Sequence, residues 1–473
     1  MSADKDAMYV RVAKPDITFL PEKEGSKIVI HDLGHDALLP VYGYVTREYL
    51  ISGIAIAQSY CTRLLLRCPA SPGRFSGLVI AEPSHLWGGT TLWRLIKRWI
   101  MRNGHAWVEI DAQGPAAIDQ IKNHNPDRYK AMHFISGPAL EEFVNSIPKF
   151  VTSDRLWENY KSFKDKWWSA TVQSLEIITA TSHALRSGQM HLKADRVVLA
   201  GLCQSADLIR KYILEGLHLR LPDGYPPFEG FMPCQSDGGE ALPDLDESKI
   251  IEILGELEIV SVKALYWTAG IADEPFHRHP DSNSFRLYEV AGMAHRETRY
   301  LSVAEKNRLT ALDLQSAQWS TFSNSFVLHA IFDAMDKWIT TGAAPPRGTR
   351  LVIDHEWEIE RDRHGNALGG LRTVHTDVPT ARLIDVTPKL RPHWHPCRFL
   401  MPRKMLLHLL THFVASTGTE IPFTDIQMWI IYKSIQNYQR LAGKAIQRQL
   451  EAGFLLIEDA EVLRRDTVEQ ITM

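Results

Sequence analysis

The run VVLAGLCQSADLIRKYI, residues 197–213, carries an apolar stretch into Gly201, Leu202, Cys203, Gln204 and Ser205, then out into a helical pattern. Strand, glycine, nucleophile, small residue and helix together form the layout of a nucleophile elbow. The sharp turn strains the middle residue, requires small neighbours and projects the head group above the sheet. Gly201 and Ser205 flank Cys203 and Ala206 follows, so Cys203 reads as an attacking thiol. The competing reading is a buried small hydrophobe, the usual fate of a free cysteine. The flanking strand and helix favour the elbow.

An elbow needs a base, placed after the nucleophile and near the end of the last core strand. SFRLYEVAGMAHRE, beginning at Ser284, supplies a strand, a glycine turn and His295. That imidazole can take the thiol proton and later return it to a leaving group or activate water. An acid should fix the imidazole from the loop after the preceding strand. After VKALYWTAG the chain reads Ile271, Ala272, Asp273, Glu274, so Asp273 is the expected acid and Glu274 its rival. A thiol tolerates a weaker orienting acid, because its ordinary pKa leaves some thiolate at neutral pH. The oxyanion donors are expected to be the Gln204 N–H and a second N–H from IAEPSHLWGGT, where Gly88 and Gly89 allow close approach and Ser84, His85 and Trp87 face the pocket or a lid.

These residues need a sheet to hold them. Short β-rich runs begin at Lys27, Ser76, Ala106, Arg196, Val262 and Ser284 and alternate with helical patterns. Those near 77, 106, 197 and 262 show almost no polar alternation, as strands buried on both faces do. The fold class expected is α/β, with a mainly parallel central sheet flanked by helices. Residues 1–345 are read as this core, with lid insertions at 125–190, aromatic and helical, and at 218–260, rich in Pro and Gly turns. The segment 167–187 is expected to be a long helix, and a helix from 326 ends at Gly342 and two prolines. Residues 346–473 are read as a hairpin and helical extension.

With 473 residues, 45% hydrophobic and 23% charged, the chain can bury a large core. A net charge of -3 provides no field to gather nucleic acid or anionic lipid. The first residues lack an apolar signal region, no run suffices to span a membrane, and the five cysteines (Cys61, Cys68, Cys203, Cys234, Cys397) are odd in number and scattered. A cytoplasmic protein is expected. His393, His395 and Cys397 could ligate a metal but lack a second well-spaced pair, and no phosphate-binding glycine motif occurs, so neither metal nor cofactor is expected.

The chain also resembles the large α/β-hydrolase-domain family whose elbow reads Gly-x-Ser-Gln-Ser-Ala. The likeness is carried by AEPSHLWGG, DAQG at 111, DRY at 127, GLCQSADLIRKYI, YEVAGMAH, DRHGNALGGLRTVHTDVPTARL and AGFLLIEDAEVL. It implies the α/β-hydrolase fold, with the elbow serine falling on Cys203 and the catalytic histidine on His295. There are two departures. The serine is a cysteine, and Thr268-Ala269 stands where Thr-Glu is expected. The Cys elbow is similar to that of dienelactone hydrolases.

The leading expectation is therefore a hydrolase acting on an ester or lactone through a Cys203 thioester. Its substrate is a small acyl compound, hydrophobic or aromatic if Trp87, Trp167, Trp168, Phe228, Phe231 and Met232 line the pocket. An acyltransferase or cyclase using the same thioester is the second reading. A binding protein that lost its acid, as Ala269 would suggest, is the third.

Overall fold

A computed structural model describes residues 9–30, 36–85, 91–133, 150–151, 162, 171–236, 241–259, 278–299, 301, 319–355, 358–384, 401–402 and 418–469. The chain divides into two compact units: residues 1–236, 242–250 and 399–403 form one, and residues 237–241, 251–398 and 404–473 the other. The expected boundary at 345 differs from this division, because residues 251–345 group with the tail.

The first unit is built on a sheet of β1 (Asp16–Phe19), β2 (Tyr44–Ala55), β3 (Gln58–Pro69), β4 (Leu78–Pro83), β5 (Ala106–Ile110), β6 (Arg196–Leu202) and β7 (Gly230–Cys234). Their order across the sheet is β7, β6, β4, β5, β3, β2, β1. The pairings β7/β6, β6/β4 and β4/β5 are parallel, whereas β5/β3, β3/β2 and β2/β1 are antiparallel. The sheet is mixed, parallel around the elbow strand and antiparallel towards β1.

The parallel half follows from composition. Val79, Ile80 and Ala81 of β4 and Val197 to Ala200 of β6 are buried together, since helices cover both faces. Helix α1 (Thr91–Arg102) turns Leu92, Trp93, Ile96, Trp99 and Ile100 inward and packs on β5 and β6. Helix α2 (Val172–Ser187) is buried along most of its length and stops at Gly188, whose φ of 81° is the left-handed cap glycine favours.

The antiparallel half escaped the sequence reading. The β2/β3 hairpin has twelve residues in each arm and turns through Ile56 and Ala57, both at positive φ (46° and 59°). Such turns normally announce themselves with Asn or Gly, and here neither residue does. The run at Lys27 is not a strand in its described part, 27–30.

The segment 218–260 is no lid insertion. It contains β7, paired in register with the elbow strand, and β8 (Lys249–Leu254). The strand expected at 262 lies outside the described residues, as do the elements expected in 134–149 and 163–170. No helix among the described residues is long and apolar enough to cross a membrane.

Within the first unit, Arg63 of β3 lies fully buried among carboxylates. Its Nε meets Asp111 at 2.5 Å, and Glu109 and Glu48 take the other nitrogens. Arg128 and the Tyr129 hydroxyl also bind Glu48. Burial alone lowers the Arg63 pKa, but Asp111, Glu109 and Glu48 outweigh it and raise it above the ordinary value. Arg63→Met should cost about 3–5 kcal/mol, because it strands buried carboxylates; a urea unfolding midpoint measures this.

In the second unit, β8 neighbours β9 (Phe285–Glu289). Helix α3 (Gln204–Glu215), which follows Cys203, belongs to the first unit. Helix α4 (Asn324–Thr341) ends at Gly342, as expected. The tail forms a two-stranded sheet of β10 (Ala381–Ile384) with β11 (Thr419–Pro422), then α5 (Asp425–Tyr432), α6 (Ile435–Glu451) and α7 (Ile457–Glu469). Phe326 of α4 packs with Val374, Met428, Tyr432, Tyr438, Ile446 and Leu463 in one apolar cluster.

His375 lies beside that cluster, against the Phe322 ring, and its Nε2 has no partner. Burial, and then Arg299, push its imidazole down to about 4. The unfolded chain takes a proton there near pH 6.5, but the folded one does not. The contribution is complete above pH 6.5 and is lost as pH falls toward 4. His375→Phe should therefore flatten the acid side of the pH–stability curve, read as unfolding midpoints at pH 7 and pH 5.

Candidate functional site

The elbow is formed by β6, Cys203 and α3 (Gln204–Glu215). Cys203 has φ 62° and ψ -129°, a conformation that L side chains rarely adopt. Its N–H is held by the Cys234 carbonyl at 3.0 Å, and its carbonyl accepts the Asp207 N–H at 3.1 Å. The turn is tight. A Cβ on Gly201 would stand 2.9 Å from both the Ser205 carbonyl carbon and its Cβ, so only glycine fits. Ser205 and Ala206 are buried, whereas Cys203 is partly exposed and free of any disulfide. Thus the turn's small neighbours serve packing, and its backbone strain falls on Cys203.

Gln204 opens α3, so its N–H lies in the first turn, where the helix supplies no acceptor and the dipole favours negative charge. Its side chain exchanges two amide hydrogen bonds with Gln113: Gln113 Nε2 donates to Gln204 Oε1 at 3.0 Å, and Gln204 Nε2 donates to Gln113 Oε1 at 2.8 Å. Gln113 Nε2 also donates to the Ser84 carbonyl at 2.7 Å. The loops following β4, β5 and β6 are thereby tied together at the carboxyl ends of three parallel strands, where open α/β sheets place their ligands. Gln113 was missed as a site residue, although the DAQG run containing it was visible. Arg63 holds the same loop through Asp111, two residues earlier.

Of the other expected residues in this unit, Ser84 and His85 are buried after β4. Trp87, Gly88 and Gly89 lie outside the described residues, as do Trp167 and Trp168. Phe228 and Phe231 stack with Tyr212, and with Met232 they are fully buried, which makes them core rather than pocket wall.

In the second unit, the acid that meets His295 is Glu258. His295 Nδ1 lies 2.7 Å from Glu258 Oε1, and the side chains are 12% and 3% exposed. Glu258 Oε2 accepts the Gly255 N–H at 2.7 Å, so its carboxylate is fixed from both sides. A carboxylate only accepts, so Nδ1 carries the proton and Nε2 is left as the basic nitrogen. Asp273 and Glu274, the expected acids, lie outside the described residues, as do Thr268 and Ala269. Glu258 sits in a helical turn directly after β8. A strand, a glycine and then an acid parallels the strand, glycine turn and histidine that single out His295, but reading this segment as an insertion obscures it. The possible ligands His393, His395 and Cys397 also lie outside the described residues.

A sheet with helices on it, an elbow at a strand end and a carboxylate-held histidine further along the chain define an α/β-hydrolase. The alpha/beta hydrolase domain family model matches residues 13–465, and the chain belongs to that family. No protein of curated function matches it. Among solved structures, a glucuronoyl esterase from Solibacter usitatus is 10% identical, covering 61% of this chain and 86% of its own length, at a TM-score of 0.29. An esterase of Pyrococcus furiosus is 8% identical, covering 56% of this chain and 88% of its own, at a TM-score of 0.27.

Proposed function

We propose that the protein hydrolyses an ester or lactone of a small acyl compound, with Cys203 as nucleophile, His295 as base and Glu258 as the orienting acid. The observation that carries this reading is the backbone of Cys203: a non-glycine residue at φ 62°, between a glycine that cannot be replaced and a helix start. Strain of this kind costs about 1–3 kcal/mol and persists where the surroundings impose it.

In the proposed reaction, His295 Nε2 takes the thiol proton as Cys203 sulfur bonds to the carbonyl carbon. The oxyanion is met by the Gln204 N–H. The tetrahedral intermediate collapses as the alkoxide leaves with the proton from His295. Water, deprotonated by the same nitrogen, then splits the thioester and restores the thiol. Glu258 holds the imidazole throughout and balances its charge while protonated. Supply of the acid by Glu258 removes the reason for reading the chain as a binding protein that had lost one.

The test is turnover of a panel of aryl esters and lactones, with products identified in the presence and absence of a competing amine. Free acid as the product in both conditions supports hydrolysis. Amide formed in preference to acid would make the protein an acyltransferase, and no turnover of any member would count against the reading.

A further inference from the structure

The tail run GNALGGLR, residues 365–372, takes no part in the reaction as written, yet it is built against the histidine loop. The described residues between 351 and 369 are joined by the bridges Leu351 with Gly369, Ile353 with Ile359 and Arg361 with Ala367. The returning arm then lies along the end of β9: Leu371 N–H donates to the Glu289 carbonyl at 2.6 Å, and Ala291 N–H donates to the Leu371 carbonyl at 3.1 Å. The approach is close. A Cβ on Gly369 would stand 2.3 Å from the Arg350 carbonyl oxygen, and one on Gly370 would stand 2.8 Å from that of Glu289.

This hairpin delivers Arg361. Its Nη2 lies 2.8 Å from Glu256 Oε2, and Glu256 Oε1 accepts the Gly292 N–H at 2.7 Å. Gly292 opens the turn that ends in His295. The helical turn containing Glu256 also contains Glu258, so this single turn grips the histidine loop twice, by its backbone through Glu256 and by the ring through Glu258. The Glu256 side chain is 1% exposed and that of Arg361 17%, so a buried carboxylate is held in one direction by a cation from the tail. Asn324 steadies the same loop at the Ala294 carbonyl, 2.7 Å away.

We infer that Arg361 is a positioning residue for His295: it neutralises and orients Glu256, which fixes the backbone of the histidine turn, so the tail hairpin sets where the imidazole stands. The inference rests on the reading of His295 as the base.

The experiment uses the full-length protein with carbon-13-labelled histidine and follows ring carbon–proton resonances through a pH titration, with His295 assigned by its loss in His295→Gln. Arg361→Met, which keeps the apolar stem and removes the charge, should displace the His295 resonance and its titration midpoint while the other histidine resonances stay in place. Arg361→Lys should restore them in part. In Arg361→Met, kcat should fall about tenfold or more with KM within about twofold, the signature of misplaced machinery rather than lost binding.

An unchanged His295 resonance and midpoint in Arg361→Met would overturn the inference, whatever the activity. If Arg361→Met does not fold, Arg361→Gln is read by the same resonance and the same criterion. Failure of the proposed reaction would look different: turnover would survive Cys203→Ala, with the His295 resonance still responding to Arg361.

Discussion

If Cys203 is the nucleophile, as proposed, Cys203→Ala is expected to lower kcat/KM by about 10⁴-fold or more, since loss of a covalent nucleophile leaves only binding and oxyanion stabilisation. The fold should survive, because Cys203 is partly exposed and its turn is held by backbone hydrogen bonds to Cys234 and Asp207 rather than by its sulfur. Cys203→Gly should be equally inactive but more stable than Cys203→Ala. Alanine at φ 62° keeps the strain, whereas glycine relieves it. Strain of about 1–3 kcal/mol set against the greater chain entropy of unfolded glycine, about 0.4–1 kcal/mol, predicts a net gain of up to about 2 kcal/mol. Urea unfolding of the two variants, run beside their turnover, gives both numbers. A glycine variant no more stable than the alanine one would mean that the turn is relaxed.

Glu258→Gln should have the second largest effect. The carboxamide can offer an N–H to His295 Nδ1, which places the ring proton on Nε2, the nitrogen proposed to accept the thiol proton. A serine nucleophile would suffer severely from this change. A thiol, partly ionised at neutral pH, suffers less, so kcat is expected to fall about 10²-fold at pH 7. The deficit should shrink as pH rises, because the thiolate then forms without help from the base. The fold should hold, since the glutamine oxygen still accepts the Gly255 N–H. A pH–rate profile that falls by a constant factor at all pH values would point away from base orientation.

The legible and illegible parts of the chain differ in physical character. Strands β4, β5 and β6 and the elbow could be read because each carries its own signal: runs buried on both faces, and a Gly-x-Cys-x-Ser turn whose small residues answer a local steric demand; β9 was marked only by its β-rich run ahead of a glycine turn. The β2/β3 hairpin could not be read, because Ile56 and Ala57 adopt positive φ without turn chemistry and are held there by twelve paired residues on each arm. Glu258 was hidden because its partner lies 37 positions along the chain, and only folding brings Gly255, Glu258 and His295 together. Gln113 stayed hidden for the same reason, its partner Gln204 being 91 positions away. Tertiary pairing of polar side chains leaves no periodic trace, so the orienting groups of a site are harder to read than its nucleophile.

The most direct test is intact-protein mass spectrometry after brief exposure to an activated aryl ester, followed by peptide mapping. Wild type should gain one acyl mass, located on the peptide containing Cys203 and labile to hydroxylamine, and Cys203→Ala should gain none. An identical adduct on both proteins would contradict a Cys203 thioester and, with it, the mechanism proposed for this fold.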